Sequence, residues 1–226
     1  IHDISIKPYA CCRPLHSMID GLRTTTDNFS ATADQIVSIT VRGPRKLVEQ
    51  HMVRRPQTPM AAQYSLPYTV GATLAYGPER FDAFEAANLS DSRILAWADR
   101  VKVEADEALE ASYPAHFGTE VEVAFLDGER RTERVLDSVG TPANPMDIER
   151  LRLKAHTLVG GRRSDGEFQT LLDEIQSFPT TLGVGGLQGA FARGRSNNAL
   201  MAGLFWSGAR APRSGLAAGC SRSSAR

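Results

Sequence analysis

The chain has 226 residues, 42% of them hydrophobic and 23% charged, with 26 basic side chains against 26 acidic ones. This composition fits one large globular domain or two small ones, and excludes a collagen-like chain, a wholly disordered one and a disulfide-stapled mini-protein. No apolar run reaches the roughly 18 residues of a membrane helix, so no membrane partner is expected.

The neutral total hides a split. Residues 180–226 carry six Arg and no Asp or Glu, leaving 20 basic against 26 acidic groups in 1–179. A mildly acidic body is a poor match for phosphate backbones. The Arg/Gly-rich tail has only Phe191, Phe205 and Trp206 as aromatics, too few for base stacking. No nucleic-acid partner is expected. Three cysteines, Cys11, Cys12 and Cys220, point to a reducing, cytoplasmic setting. Neither CxxC nor HExxH spacing occurs, so no zinc site is expected. The opening IHDISIKPYA lacks both an apolar leader core and an initiator Met, which suggests the later part of a longer protein.

In chain order, IHDISIKPY reads as a short strand ending at Pro8. Pro14 suits the first position of a helix over PLHSMIDGL, with Leu15, Met18, Ile19 and Leu22 as its buried stripe. His16, Asp20 and Arg23 share another face. QIVSITVR alternates as a half-buried strand. SLPYTVGATLAYG reads as a buried helix, with Pro67 in its first turn, Ser65 as cap and Gly71, Ala72 and Ala75 permitting close packing. DSRILAWADR suggests a short helix and VKVEAD a strand. TEVEVAFLDGERRTERVL is a hairpin turning at Asp127-Gly128. In ANPMDIERLRLKAHTLVG, Asn144 is the expected cap, Pro145 the opening and Gly160 the close. Ile148, Leu151, Ala155 and Leu158 form the expected buried stripe. Ser164 and Glu167 make a capping box for a last helix. Residues 180–226 read as disordered or loosely attached. The expected fold is α+β, a small, largely antiparallel sheet packed with helices.

KPYACCRPLHSMIDG resembles the MmgE/PrpD family of 2-methylcitrate dehydratases, cis-aconitate decarboxylases and related enzymes. SLPYTVGATLAYG, VEVAFLDGERR and GTPANPMDIERLRLKAHTL are similar to three further family segments, in the same order. The likeness covers roughly 1–178. It implies a lid-like α+β domain over 1–143, returning helices of the family's helical domain over 144–179, and a tail over 180–226 that departs from the family. It also implies a lyase fragment acting on a small di- or tricarboxylate, inactive alone and homodimeric in full-length form. The alternatives are a non-catalytic lid or dimerisation module, and an isomerase or epimerase on the same scaffold. No metal or organic cofactor is expected, because the chemistry is acid–base and the sequence offers no cluster for either.

Dehydration needs a base, an acid and cations that hold carboxylates and the developing enolate. His16 and Tyr68 are the catalytic candidates, and Lys7 and Arg13 the substrate-binding ones. His16 stands in the first turn of its helix, where the dipole favours carboxylates and lowers an imidazole's pKa. Asp20, one turn on, would orient the ring or raise its pKa; the opposed effects leave the direction open. Lys7 would clamp a carboxylate as a point charge, and its side chain and that of His16 are expected to project into one cleft. Tyr68 would aim its phenol at substrate. For each, the competing reading is packing or solvation. A Cys12–His16 thiolate pair is disfavoured by the intervening Pro14, and Cys11 and Cys12 read as small buried residues. His2, His51, His116 and His156 are scattered. Lys154 reads as solvated on an exposed helix face.

Overall fold

The structure, a computed structural model, describes residues 4–32, 34–159 and 164–177. The chain divides into two compact units, Ile1–Leu158 and Val159–Arg226.

In the first unit, Pro14 opens a 3₁₀ turn over Arg13–Leu15 that runs into helix α1, His16–Thr25. Leu15, Met18, Ile19 and Leu22 are all buried, as the helical spacing predicts. Each contributes about 2 kcal/mol of apolar burial. Strand β1, Ile36–Gly43, is followed by short helices α2, Arg45–Gln50, and α3, Pro59–Gln63. Helix α4, Leu66–Tyr76, begins as expected, with Ser65 Oγ accepting from the Tyr68 amide and Pro67 in the first turn. Helix α5, Ser92–Asp99, packs against it. Gly71 makes that approach possible: a Cβ there would stand 2.2 Å from the Ile94 carbonyl oxygen.

Strand β2, Val101–Ala105, helix α6, Glu107–Ser112, and the hairpin of β3, Thr119–Phe125, and β4, Arg130–Val135, complete the sheet region. The sheet order is β2-β1-β3-β4. β1 pairs antiparallel with β3, and β3 with β4, but β1 and β2 run parallel, with Ile39 opposite Val101. The fold is α+β and the sheet largely antiparallel, as expected, with one parallel pairing among its three. The β1–β2 connection passes through α2–α5, a crossover long enough for parallel pairing. Ile39, Val41, Val121 and Val123 lie in the core, and α1 packs on β3 and β4. The opposite face carries a charge ladder: Arg42 meets Glu104, Glu120 and Glu122, while Arg134 meets Glu120 and Asp106.

Three expectations need correction. Residues 4–8 form no strand. Ile6 donates to the Gly140 carbonyl at 2.8 Å, and Pro8 then has no N–H to extend a ladder. Helix α7 spans Ile148–Val159 and is capped by Asp147, whose Oδ1 accepts from the Arg150 amide at 2.7 Å. Asn144 belongs instead to the preceding turn, where its carbonyl accepts from Gly140. The expected buried stripe of α7 is open at its ends, with Ile148 56% and Leu158 53% exposed, and half-buried at Leu151 and Ala155.

In the second unit the described element is α8, Asp165–Ser177. Its capping box forms as expected, with Ser164 N donating to Glu167 Oε2 and Glu167 N to Ser164 Oγ. The tail expected to be disordered, Gly160 and Cys220 lie outside the described residues. Among the described residues no helix is long and apolar enough to cross a membrane.

Candidate functional site

The polar residues gather where the segment 7–13 turns into α1. Cys12 is extended and pinned by its amide to the Gln63 carbonyl at 2.8 Å. Pro14 has no amide to satisfy and sets the turn. The chain therefore arrives at His16 with Tyr9, Cys11 and Arg13 folded around it.

His16 is fully buried. Arg13 Nη1 lies 3.3 Å from its Nδ1, and its Nε2 lies 3.3 Å from the Cys11 carbonyl. The Tyr9 ring packs at 5.2 Å, tilted by 60°. Burial pushes the imidazole down to about 3; the charges of Arg13, Lys7 and Lys154 push the same way, against the Cys11 carbonyl. Asp20 does not touch the ring. Its Oδ1 accepts from the Tyr9 hydroxyl at 2.5 Å and its Oδ2 from the Val139 amide at 2.8 Å.

Arg13 is half-buried, and burial holds its guanidinium below the usual arginine range despite the charges of Asp20 and Asp137. Its Nη2 is buried with no hydrogen-bond partner among the described residues. Lys7 is exposed, yet close enough for its charge to favour the Cys11 and Cys12 thiolates and to oppose the His16 imidazolium. Burial outweighs that help and pushes both thiols up. Cys11 and Cys12 are free thiols, Cys11 buried and Cys12 half-buried, so the packing role fits better than a nucleophile.

Lys154 departs from its solvated expectation. It is half-buried on α7, and its Nζ donates to the Lys7 carbonyl at 2.6 Å. Arg150, one turn earlier, reaches the Tyr9 hydroxyl at 3.5 Å. Sequence reasoning missed Tyr9, Arg150 and Lys154 as parts of this cluster. The link between positions 7–9 and α7 spans more than 140 residues, so no local pattern carries it.

Tyr68 is elsewhere. It is fully buried, its ring packs on Phe84, and its hydroxyl proton is shared between the Ala83 and Asn88 carbonyls at 2.9 and 3.0 Å. Burial, then the charges of Asp91 and Tyr76, push the phenol up to about 12. A small hollow of about 20 Å³ opens beside Pro14, lined by residues including Lys46, Leu47, His51, Tyr113 and Phe117; neither Lys7 nor His16 lines it. Arg13 and His16 are in contact and Lys7 is near enough for its charge to act on the ring, but the buried imidazole and the exposed ammonium do not project into one cleft as expected, and Tyr68 is not among their contacts. Among the described residues no three His, Cys, Asp or Glu side chains converge as metal ligands.

This cluster has an excess of positive charge. Arg13, Lys7 and Lys154 bring their charges to bear on a neutral imidazole, Arg150 stands at the Tyr9 hydroxyl, and Asp20 already has a donor on each oxygen. Such an arrangement can bind an anion at the Arg13 guanidinium. The family model described as the MmgE/PrpD C-terminal domain matches residues 9–177. No curated protein matches the chain.

Proposed function

This chain belongs to the MmgE/PrpD family through its C-terminal domain, and we propose that it is the lid-bearing part of a lyase acting on a small di- or tricarboxylate such as 2-methylcitrate or cis-aconitate. In this reading Lys7 and Arg13 hold substrate carboxylates, residues 144–179 return to the helical part of the enzyme, and the complete enzyme is a cytoplasmic homodimer.

The observation that carries the reading is the Arg13 Nη2 group, buried without a partner in a cluster of cations. An unmet buried guanidinium N–H costs free energy that a carboxylate oxygen would recover. Bidentate geometry suits arginine, and the Lys7 ammonium adds charge without fixed direction. The chemistry is proton transfer next to a carboxylate with loss of water or carbon dioxide.

The test compares this 226-residue chain with a version extended upstream. Both are assayed for hydration and dehydration of 2-methylcitrate and cis-aconitate. Turnover by the extended chain supports the lyase, and product analysis separates loss of water or carbon dioxide from epimerisation. An extended chain that folds, dimerises and turns over neither acid would favour a non-catalytic module.

A further inference from the structure

We infer that His16 is a positioning residue: its ring is fixed with the proton on Nε2, aims the Arg13 guanidinium at a carboxylate, and exchanges no proton with substrate. The carboxylate part rests on the function proposed above; the tautomer does not.

Arginine can only donate, so the Nδ1 facing Arg13 Nη1 must offer its lone pair. The neutral ring then carries its hydrogen on Nε2, where the Cys11 carbonyl can only accept. Both nitrogens are thus engaged in the sole neutral tautomer that satisfies both neighbours. A proton added at Nδ1 would turn an N–H toward the guanidinium and break that contact. The ring has no exposed surface, so neither nitrogen is open to a substrate proton. The titratable and charged groups around it are Tyr9, Cys11, Arg13, Lys7 and Lys154. The cations disfavour a second proton, and Asp20, the neighbouring carboxylate, is turned to Tyr9 and Val139.

The geometry also says what the ring does for Arg13. It takes Nη1 and leaves Nη2 without a partner among the described residues. The guanidinium is thereby held by one nitrogen with another still to be satisfied. A histidine in this role can be replaced by a side chain of similar reach that accepts at one atom and donates at another. Glutamine does both; alanine does neither.

The experiment uses the whole chain labelled with ¹⁵N-histidine, with the His16 signals assigned from the His16→Gln spectrum. The expected result is one pyridine-type and one pyrrole-type nitrogen, long-range coupling placing the hydrogen on Nε2, unchanged from about pH 5 to pH 8. A ring that titrates near pH 6.5, or carries its hydrogen on Nδ1, overturns the positioning assignment. Citrate serves as the carboxylate probe in calorimetry. His16→Ala should weaken citrate binding about tenfold, and His16→Gln should recover it to within about threefold of the wild type. Equal loss in both variants, with folding intact, overturns the aiming role. If citrate fails to bind the wild-type chain, the carboxylate reading of the cluster falls, while the nitrogen spectrum still decides the tautomer. Should the variants not fold, assignment through the Arg13–His16 and Tyr9–His16 proximities in the wild type leaves that test intact.

Discussion

The Tyr9 hydroxyl donates to Asp20 Oδ1 at 2.5 Å, joining the segment that carries Lys7 to the helix that carries His16. Burial, followed by the Asp20 charge and this hydrogen bond, pushes the phenol above its ordinary range, so it stays a donor. Tyr9→Phe keeps the ring against His16 and deletes this bond together with the long 3.5 Å contact from Arg150. Hydrogen bonds to charged groups contribute roughly 1.5–3 kcal/mol, and urea unfolding should show a loss in that range. A loss below about 0.5 kcal/mol would mean that Asp20 is satisfied without Tyr9.

His16 sets a pH dependence whose sign is fixed by its depressed pKa. The unfolded ring titrates near 6.5, and the folded one near 3. Between these values the unfolded state binds more protons, so stability falls as pH falls. The contribution is fully present above about pH 6.5 and is lost progressively toward pH 3. Replacing the ring with glutamine removes the titration. The stability of His16→Gln should therefore fall less steeply with acid than that of the wild type, by on the order of one kcal/mol per pH unit through this window. Parallel curves for the two proteins would show that the ring protonates in place.

Much of the fold was readable because its signals are local. Pro14 and Pro67 mark helix starts, the Leu15–Leu22 stripe marks a core face, and Ser164 with Glu167 marks a cap. The alternation of β1 and β3 gives strands for the same reason. What was not readable depends on distant partners. The residues before Pro8 look like a strand, but their neighbour is the Gly140 turn rather than a strand edge. Periodicity puts Lys154 in solvent, but the Lys7 carbonyl meets it there. Tyr68 shows the same limit at the site. Its place in a first turn suggests a phenol free to act, while the Ala83 and Asn88 carbonyls that claim it lie 15 and 20 residues away. Lys7, Arg13 and His16 could be grouped from sequence because ten consecutive positions contain them all.

The claim on Tyr68 can be checked. Tyr68→Phe leaves the buried Ala83 carbonyl without the Tyr68 donor, while the half-buried Asn88 carbonyl keeps the Asp91 amide, at a cost of about 1–3 kcal/mol. If the phenol serves only the fold, citrate affinity should stay within about twofold once the protein is folded. Loss of citrate binding at unchanged stability would return Tyr68 to the substrate.

Gly140 governs where Lys7 sits. Its φ of +87° is one that side chains rarely adopt, and a Cβ there would stand 2.0 Å from the Ile6 carbonyl oxygen. Alanine must therefore push the 4–8 segment away or shift the turn. Gly140→Ala should break the Ile6–Gly140 hydrogen bond. Faster amide exchange at Ile6, with little change in the β1–β3 amides, is the expected pattern. Uniformly faster exchange would mean that the turn supports the whole unit and not this segment alone.

Lys7 and Lys154 are both cations at this site, but they should respond differently to removal. The Lys7 ammonium is exposed and, in the proposed site, meets the ligand itself. The Lys154 ammonium is tied to the Lys7 carbonyl at 2.6 Å and acts on the ligand only through that segment and through its charge. Lys7→Met should weaken citrate binding about three- to tenfold, the size expected of one exposed charge. That loss should shrink in about 0.5 M salt, where screening already removes most of the attraction. Lys154→Met deletes a hydrogen bond as well as a charge, so its effect should persist in salt and be accompanied by faster amide exchange in residues 4–7. Calorimetry at low and high salt, with exchange measured on the same samples, separates the two. If both variants lose affinity to the same degree and both losses vanish in salt, Lys154 is acting as a charge alone and its bond to the Lys7 backbone does not hold the segment.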